Sequence, residues 1–402
     1  MAKVRLLELR NTYKWGGGPD KTILLSAERH DQTRVEVVVA YIRDVRDREF
    51  EIGQKALAKG LTFYEVPERG KFDLRVLPAL RDIIERHDIN VIHSHDYKSD
   101  LFAYLLRRWI CRRHIALMST AHAWVMLGPK GELYRRLDLF LMKRFDRLIA
   151  VSHATKSEMV NGGVPANKIT VLHNAIDTDA WSRAGVKTTL RDELQLLDAF
   201  PVIGYVGRIT PEKDLETWLR AAAILAEKFP RARFLLVGDG KENNAQQGLD
   251  NLAKTLGIRD NVIFAGYRRQ LLPVYAAFDV FFLSSRREGL PNSLLEAMAM
   301  RLPVVTSDVA GARELVVDGE TGFVLPQGDV RGMAEALLNL ASRGEVRMRL
   351  AQAGRERVEK EFSFAHRLQK IEEIYERLTD RTANLPPSSR EPKAVSDEAS
   401  LV

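Results

Sequence analysis

Short runs of aliphatic and β-branched residues alternate along this chain with longer stretches in which apolar residues recur every three or four positions. The runs predict strands at 4–9, 34–42, 61–66, 90–95, 115–122, 147–152 and 169–174. A second series follows at 201–207, 233–238, 261–267, 280–285, 302–307 and 322–326. Near-continuous apolar strands separated by helices indicate parallel sheets covered on both faces. The pattern therefore predicts an α/β protein with two such layers in tandem. Residues 178–200 are polar, without strand character, and read as a linker between domains 1–177 and 201–360. Phe364, Leu368, Ile371, Tyr375 and Leu378 recur at steps of four and three and predict one apolar stripe on a helix over 361–380. From 381 to 402 the text is polar and rich in Pro and Ser, the composition of a disordered tail.

Length agrees with two domains, since single cores rarely grow beyond roughly 250–300 residues and this chain has 402. Cys111 stands alone, so no internal disulfide can form and a reducing compartment is expected. No signal peptide is read at the start, and no uncharged apolar run is long enough to span a bilayer. The expected location is the cytoplasm, or the cytoplasmic face of a membrane. A net charge of +7 points to acidic partners, which leaves phosphorylated small molecules, anionic lipid and nucleic acid open. No nucleic-acid reader motif accompanies the charge. Residues 105–114 and 134–147 mix Arg with Trp, Phe and Leu, as core helices with solvated Arg edges do, or helices that lie on a membrane surface.

Ligands of open parallel sheets bind beyond the carboxyl ends of the strands, so the residues after each run carry the chemistry. After the first run come Gly16, Gly17 and Gly18, where backbone amides can approach a phosphate or a sugar. Lys21 stands where a dinucleotide fingerprint would have its third glycine, and no phosphate-loop motif occurs. After 201–207 come Arg208 and Lys213, two cations flanking a helix start that Asp214 could cap, a pairing suited to a diphosphate. After 280–285 comes EGLPNSLLE, residues 288–296. Ser293 and Glu296 have the spacing of a capping box. That reading leaves Glu288 without a role, and the amides near Asn292 and Ser293 would face any phosphate held by Arg208 and Lys213.

GR-x4-K at 207–213 together with E-x7-E at 288–296, in the second of two such domains, resembles the retaining glycosyltransferases of family 4. The resemblance runs over roughly residues 1–380 and includes the glycine loop, TAHAW at 120–124, AVSHATK at 150–156, LHNAID at 172–177, VGDG at 237–240 and LEAMAMRLPVVTSDVAG at 295–311. It implies the GT-B fold, two Rossmann-like domains with parallel sheets facing across a cleft, with the C-terminal helix returning towards the first domain. It implies a nucleotide-sugar donor whose diphosphate binds Arg208 and Lys213, whose ribose binds Glu296 and whose sugar binds Glu288. Leu290, Asn292 and Ser293 would complete the donor site, Gly17 and Gly18 would lie near the diphosphate and the acceptor, and His122 near the donor sugar. The family needs no metal or other cofactor, and the sequence lacks an obvious DxD site. Ala175, in place of a frequent Gly, and Leu290, in place of a frequent Phe, depart from the pattern without removing a charged contact.

His93 and His95 share one face of a strand but lack the third histidine of a metal site. Their place at the strand end suits contact with an acceptor, and equally an ordinary hydrogen-bonded pair. The expected reaction is sugar transfer to a glycan or lipid-linked acceptor in cell-surface polysaccharide or glycolipid synthesis. A nucleotide-sugar epimerase on the same fold and a non-catalytic sugar-nucleotide-binding protein are the competing readings.

Overall fold

In the computed structural model the described residues are 3–383, apart from 15, 71, 112–113, 123, 125–128, 187–188 and 240–242. Two parallel sheets carry the architecture. The first contains β1 (Val4–Asn11), β2 (Val35–Asp44), β3 (Thr62–Glu68), β4 (Val91–Ser94), β5 (Ala116–Ala121), β6 (Arg147–Ala150) and β7 (Ile169–Val171), in the order β3-β2-β1-β4-β5-β6-β7. The second contains β8 (Val202–Val206), β9 (Arg233–Val237), β10 (Val262–Gly266), β11 (Val280–Leu283), β12 (Val304–Ser307) and β13 (Phe323–Leu325), in the order β10-β9-β8-β11-β12-β13. Each predicted apolar run overlaps one of these thirteen strands, with β1, β2 and β3 running two residues past their predicted ends. In both sheets the order reverses beside the first strand, at β1/β4 and at β8/β11, which opens a crevice at the carboxyl ends there.

The apolar runs form strands because both faces are covered. Val4, Leu6, Leu7 and Leu9 of β1 are fully buried, as are Val280, Phe281, Phe282 and Leu283 of β11. The helix Leu215–Lys228 packs Trp218 edge-on against Phe234 and stacked on Phe282, and the indole N–H donates to the Phe282 carbonyl at 3.0 Å. Complete burial of such side chains stabilises the sheet by about 1.5–3 kcal/mol each.

The last helix, Phe364–Ala383, lays the predicted stripe on the first sheet. Ile371, Tyr375 and Leu378 pack with Val4, Leu6, Val91, Met118 and Ile149. It continues past residue 380, and the rest of the tail read from the sequence, 384–402, lies outside the described residues. Within 178–200 one helical turn forms, Leu190–Glu193. Buried Arg355 fastens the start of this stretch, donating to the Thr178 carbonyl at 2.8 Å and to the Ala299 carbonyl at 2.6 Å. The stretch 105–114 departs from a plain helix: residues Leu106–Ile110 form a π-helical turn.

Candidate active site

A cleft of about 1390 Å³ lies between the carboxyl ends of the two sheets. It is lined from the second domain by Arg208, Lys213, Glu288, Leu290, Asn292, Ser293 and Glu296, and from the first by Gly17, Gly18, His95 and His122. Residues from opposite ends of the sequence thus share one space. His93 is not part of that lining.

The second domain builds its side from two consecutive loops beyond β8 and β11. Lys213 ends a short 3-10 turn, Pro211–Lys213, and the chain then passes through Asp214 in the left-handed region, at φ 48°. Ser284 at the end of β11 clamps this turn, its hydroxyl donating to the Asp214 carbonyl at 2.9 Å. Gly238, whose added Cβ would lie 1.9 Å from the Gly207 carbonyl oxygen, allows the loop after β9 to pack on the Gly207–Arg208 turn.

Two local expectations fail here. Asp214 occupies the cap position of the helix Leu215–Lys228 without bonding its amides; its carboxylate accepts instead from the Thr217 hydroxyl and from Arg286. Left-handed backbone at Asp214 and the neighbouring cation win over the cap. Nor does Ser293 form a capping box with Glu296, because the helix Asn292–Ala299 starts two residues too early, with Pro291 at its cap position. Glu296 accepts from Tyr275 Oη at 2.7 Å and from Lys21 Nζ, across the cleft, at 2.6 Å.

The charges are paired with each other. Lys213 Nζ is 2.5 Å from Glu288 Oε1, which also accepts from the Ser285 hydroxyl at 2.8 Å. Arg208 is 54% exposed and meets Glu212 only at 3.4 Å, so its guanidinium is held weakly.

Domain contacts bring the glycine loop onto the same site. A Cβ on Gly18 would come within 2.5 Å of Asn292 Nδ2, so a larger residue there would push the Asn292 side chain aside. Asn174, in the segment leaving the first domain, donates to Asn292 Oδ1 at 2.9 Å. Gly17 N–H is already engaged, donating to Asp20 Oδ2 at 2.6 Å. Asp20, buried, also accepts from Arg10 Nε at 2.7 Å and from Tyr41 Oη at 2.9 Å. Burial disfavours the Arg10 cation, but Asp20, with Tyr41 and Asp96, more than offsets it and holds Arg10 above its ordinary range.

The histidines separate. His93 is 1% exposed, with Nδ1 on Tyr375 Oη and Nε2 on Thr120 Oγ1, both at 2.7 Å. It is the hydrogen-bonded core residue of the two readings, and acceptor contact does not fit its position. His95 reaches the cleft and bonds Glu8 Oε2 through Nε2 at 2.5 Å. Glu8, buried in β1, supplies the third potential ligand that the sequence lacked. The contact suits a hydrogen bond rather than an ion, since tetrahedral zinc keeps such ligand atoms about 3.3 Å apart.

Four further residues of the cleft or its wall escaped the sequence reading. Lys21 figured there only as an interruption of a glycine pattern, and Asn174 only as part of LHNAID. Glu8 and Tyr275 carry no local signal at all. Tyr275 lies in a five-residue helix, Leu272–Ala276, and reaches Glu296 from 21 residues away.

Residues 16–180 match the family model described as glycosyltransferase family 4, and residues 186–357 match that of glycosyl transferases group 1. The chain belongs to glycosyltransferase family 4. This family 4 glycosyltransferase is 31% identical to the capsular polysaccharide biosynthesis glycosyltransferase CapM of Staphylococcus aureus, over 57% of this chain and 60% of that one. It is 25% identical to the UDP-Gal:alpha-D-GlcNAc-diphosphoundecaprenol alpha-1,3-galactosyltransferase of Escherichia coli, over 75% of this chain and 79% of the relative. Its GT-B fold superposes on HepE of Anabaena, solved in complex with UDP and glucose, with a TM-score of 0.81 at 21% identity, covering 93% of this chain and 100% of that one.

Proposed function

We propose that this glycosyltransferase takes a sugar from a nucleotide-diphosphate donor and passes it, with retention at the anomeric carbon, to a glycan or lipid-linked acceptor. The process it serves is the assembly of cell-surface polysaccharide or glycolipid. One observation carries the reading: two cations, two carboxylates and the start of the helix Asn292–Ala299 line the same cleft. CapM and the Escherichia coli relative, whose names specify capsule synthesis and a diphosphoundecaprenol acceptor, support the process and the acceptor class.

In the transfer the bond from the anomeric carbon to the diphosphate oxygen breaks, and its electron pair stays on the phosphate. Arg208, Lys213 and the amides at the helix start stabilise that growing charge more strongly than they stabilise the bound donor, which is what lowers the barrier. The acceptor hydroxyl attacks from the same face and its proton passes to the departing phosphate, so no carboxylate nucleophile is needed. Donor entry exchanges partners: Lys213 leaves Glu288 for phosphate, and Glu288 and Glu296 turn to hydroxyls of the sugar and the ribose. No metal takes part, because the two cations balance a diphosphate unaided. Gly18, Leu290 and Asn292 shape the wall against which the donor lies, and His122 faces its sugar.

A panel of nucleotide sugars, read by release of nucleoside diphosphate with and without acceptor glycans, tests this proposal. Release with none of the donors removes the transferase reading of the site. Interconversion of donor sugars without an acceptor would favour an epimerase.

The first domain also offers a surface suited to a lipid-linked acceptor. Trp109 is 67% exposed and Leu133 65%, and Arg107, two residues before Trp109, bonds Asp146 ahead of β6. Arg144 stacks on exposed Phe140, 3.5 Å from the ring centre. No helix among the described residues is long and apolar enough to cross a membrane, so the contact would be peripheral. Sedimentation with vesicles containing anionic lipid should pull the protein down, and Trp109→Ala should weaken it; protein left wholly in the supernatant would eliminate the contact.

A further inference from the structure

Three polar residues form a continuous chain from the middle of the first sheet to the cleft. Glu8 lies in β1, His95 directly follows β4 and His122 directly follows β5. His95 Nε2 is 2.5 Å from Glu8 Oε2, and His95 Nδ1 is 3.3 Å from His122 Nε2. His122 Nδ1 is buried and, among the described residues, has no hydrogen-bond partner. A buried polar atom left unpaired is costly and calls for an explanation.

The protons along this chain are not free to choose. A carboxylate can only accept, so an ionised Glu8 requires the proton of His95 on Nε2. His95 Nδ1 is then a bare lone pair and must accept from His122 Nε2–H. His122 Nδ1 is left as an acceptor facing whatever hydroxyl approaches it. Charges around the chain keep it in this state. Burial alone would raise the Glu8 carboxyl, but His93 and His95 outweigh it and hold the group well below the usual range. His95 is pushed down to about 4, first by burial and then by His93. Burial, then Arg10 from β1, His95 and Arg367 from the last helix, keep His122 neutral. Tyr375 completes the surroundings, its hydroxyl donating to Glu8 Oε1 at 3.3 Å.

We infer that Glu8 and His95 are positioning residues that fix the tautomer of His122, presenting Nδ1 as a bare acceptor for a hydroxyl of the transferred sugar. The inference rests on the proposed placement of His122 beside that sugar. A merely structural role for Glu8 would be served by any group that fills its space and bonds His95. The tautomer role requires an anion, because only an acceptor without protons sets the direction of both hydrogen bonds.

The test uses the full chain labelled with 15N-histidine, in which two-bond correlations distinguish protonated from bare ring nitrogens. Wild type should show His122 with the proton on Nε2. In Glu8→Gln the amide can donate to His95 Nε2, so the proton of His122 should move to Nδ1 and turnover per folded molecule should fall at least tenfold. Glu8→Asp, which keeps the anion, should keep the wild-type tautomer and recover part of that loss, even where Glu8→Gln folds poorly. A proton on Nδ1 in wild type, an unchanged tautomer in Glu8→Gln, or a reversed tautomer with unchanged turnover each overturns the inference. Titrating in the nucleotide sugar turned over fastest in the donor panel separates the two layers. Unmoved His122 resonances beside the expected tautomers would remove the placement of His122 at the sugar, and with it the functional half of the inference.

Discussion

In the second domain the charges of the cleft stand on loops, in pairs that can exchange partners: Lys213 with Glu288, and Arg208 loosely with Glu212. The first domain adds charges that stand inside the sheet or on its first helix and are locked, beside others carried on the loop after β2. Arg10 and Glu8 belong to β1 itself, and Asp20 takes hydrogen bonds from Arg10, Tyr41 and the Gly17 amide. The difference follows from what each side has to do. Groups that grip and release a diphosphate must be able to let go of their resting partners, whereas groups that orient others must not move.

The first way to break this contrast is to remove a locked charge. Asp20→Ala leaves the Arg10 guanidinium, 13% exposed, without its anion. Removing one partner of a buried pair costs roughly 3–5 kcal/mol. The unfolding midpoint in urea should fall accordingly, and a loss below about 1 kcal/mol would show that Arg10 is not locked. The effect on stability should be the largest of any single substitution in the cleft.

Exchangeable charges should behave in the opposite manner. Lys213→Ala and Glu296→Ala should each lower donor turnover per folded molecule well over tenfold, a loss above about 1.4 kcal/mol of barrier that far exceeds what any fall in the urea midpoint accounts for. Lys213→Ala also frees the Glu288 carboxylate to repel phosphate, so adding Glu288→Gln should return part of the loss in donor KM. Unchanged turnover in both single variants would remove these residues from the reaction.

Protonation draws the contrast out further. Beside the cleft, the carboxyls of Asp100 and Asp138 are buried and influence one another, and burial pushes Asp138 up to about 6. Asp100 lies well above its ordinary range, first from burial and then from Asp138. A folded-state value above the unfolded one, about 3.9, stabilises the fold in acid, and that contribution is lost as pH rises through 6. An asparagine in place of Asp138 cannot ionise, and its amide can donate to Asp100 while its oxygen still accepts from Trp124 Nε1, the present donor to the Asp138 carboxyl. Asp138→Asn should therefore raise the unfolding free energy on the order of 1 kcal/mol or more at pH 8 and change it little at pH 4, below most of the titration. An equal shift at both pH values would mean that the pair carries no shared proton.

The same contrast decides what could be read from the amino-acid order. Each of the thirteen strands left an apolar run because burial on both faces is written locally. Arg208 with Lys213, and Glu288 with Glu296, lie five and eight positions apart on two loops, so a short pattern records them. Glu8 is invisible by comparison: VRLLEL looks like any strand with one polar position, and its meaning depends on His95, 87 residues later, and Tyr375, 367 residues later. Local patterns misled where tertiary partners prevailed over them. Glu296 had the spacing of a cap and went to Tyr275 and Lys21, and Asp214 had the identity of a cap and went to Arg286.

Lys21 stands between the two modes and offers the finest test. It rises from the first helix of the locked domain, 53% exposed, yet bonds Glu296 in the exchanging one. If Glu296 is to take the ribose hydroxyls, Lys21 must first be displaced, and the resting pair then competes with the donor. Its exposure limits the pair to about 1 kcal/mol or less. Lys21→Ala should accordingly lower the donor KM about two- to fivefold with kcat unchanged, since an ion pair that opens before the chemical step leaves the barrier from the bound state as it was. A raised donor KM would instead mean that Lys21 stays at the ribose or phosphate and holds the donor with Glu296, which would move one residue of the locked domain to the exchanging side of the comparison.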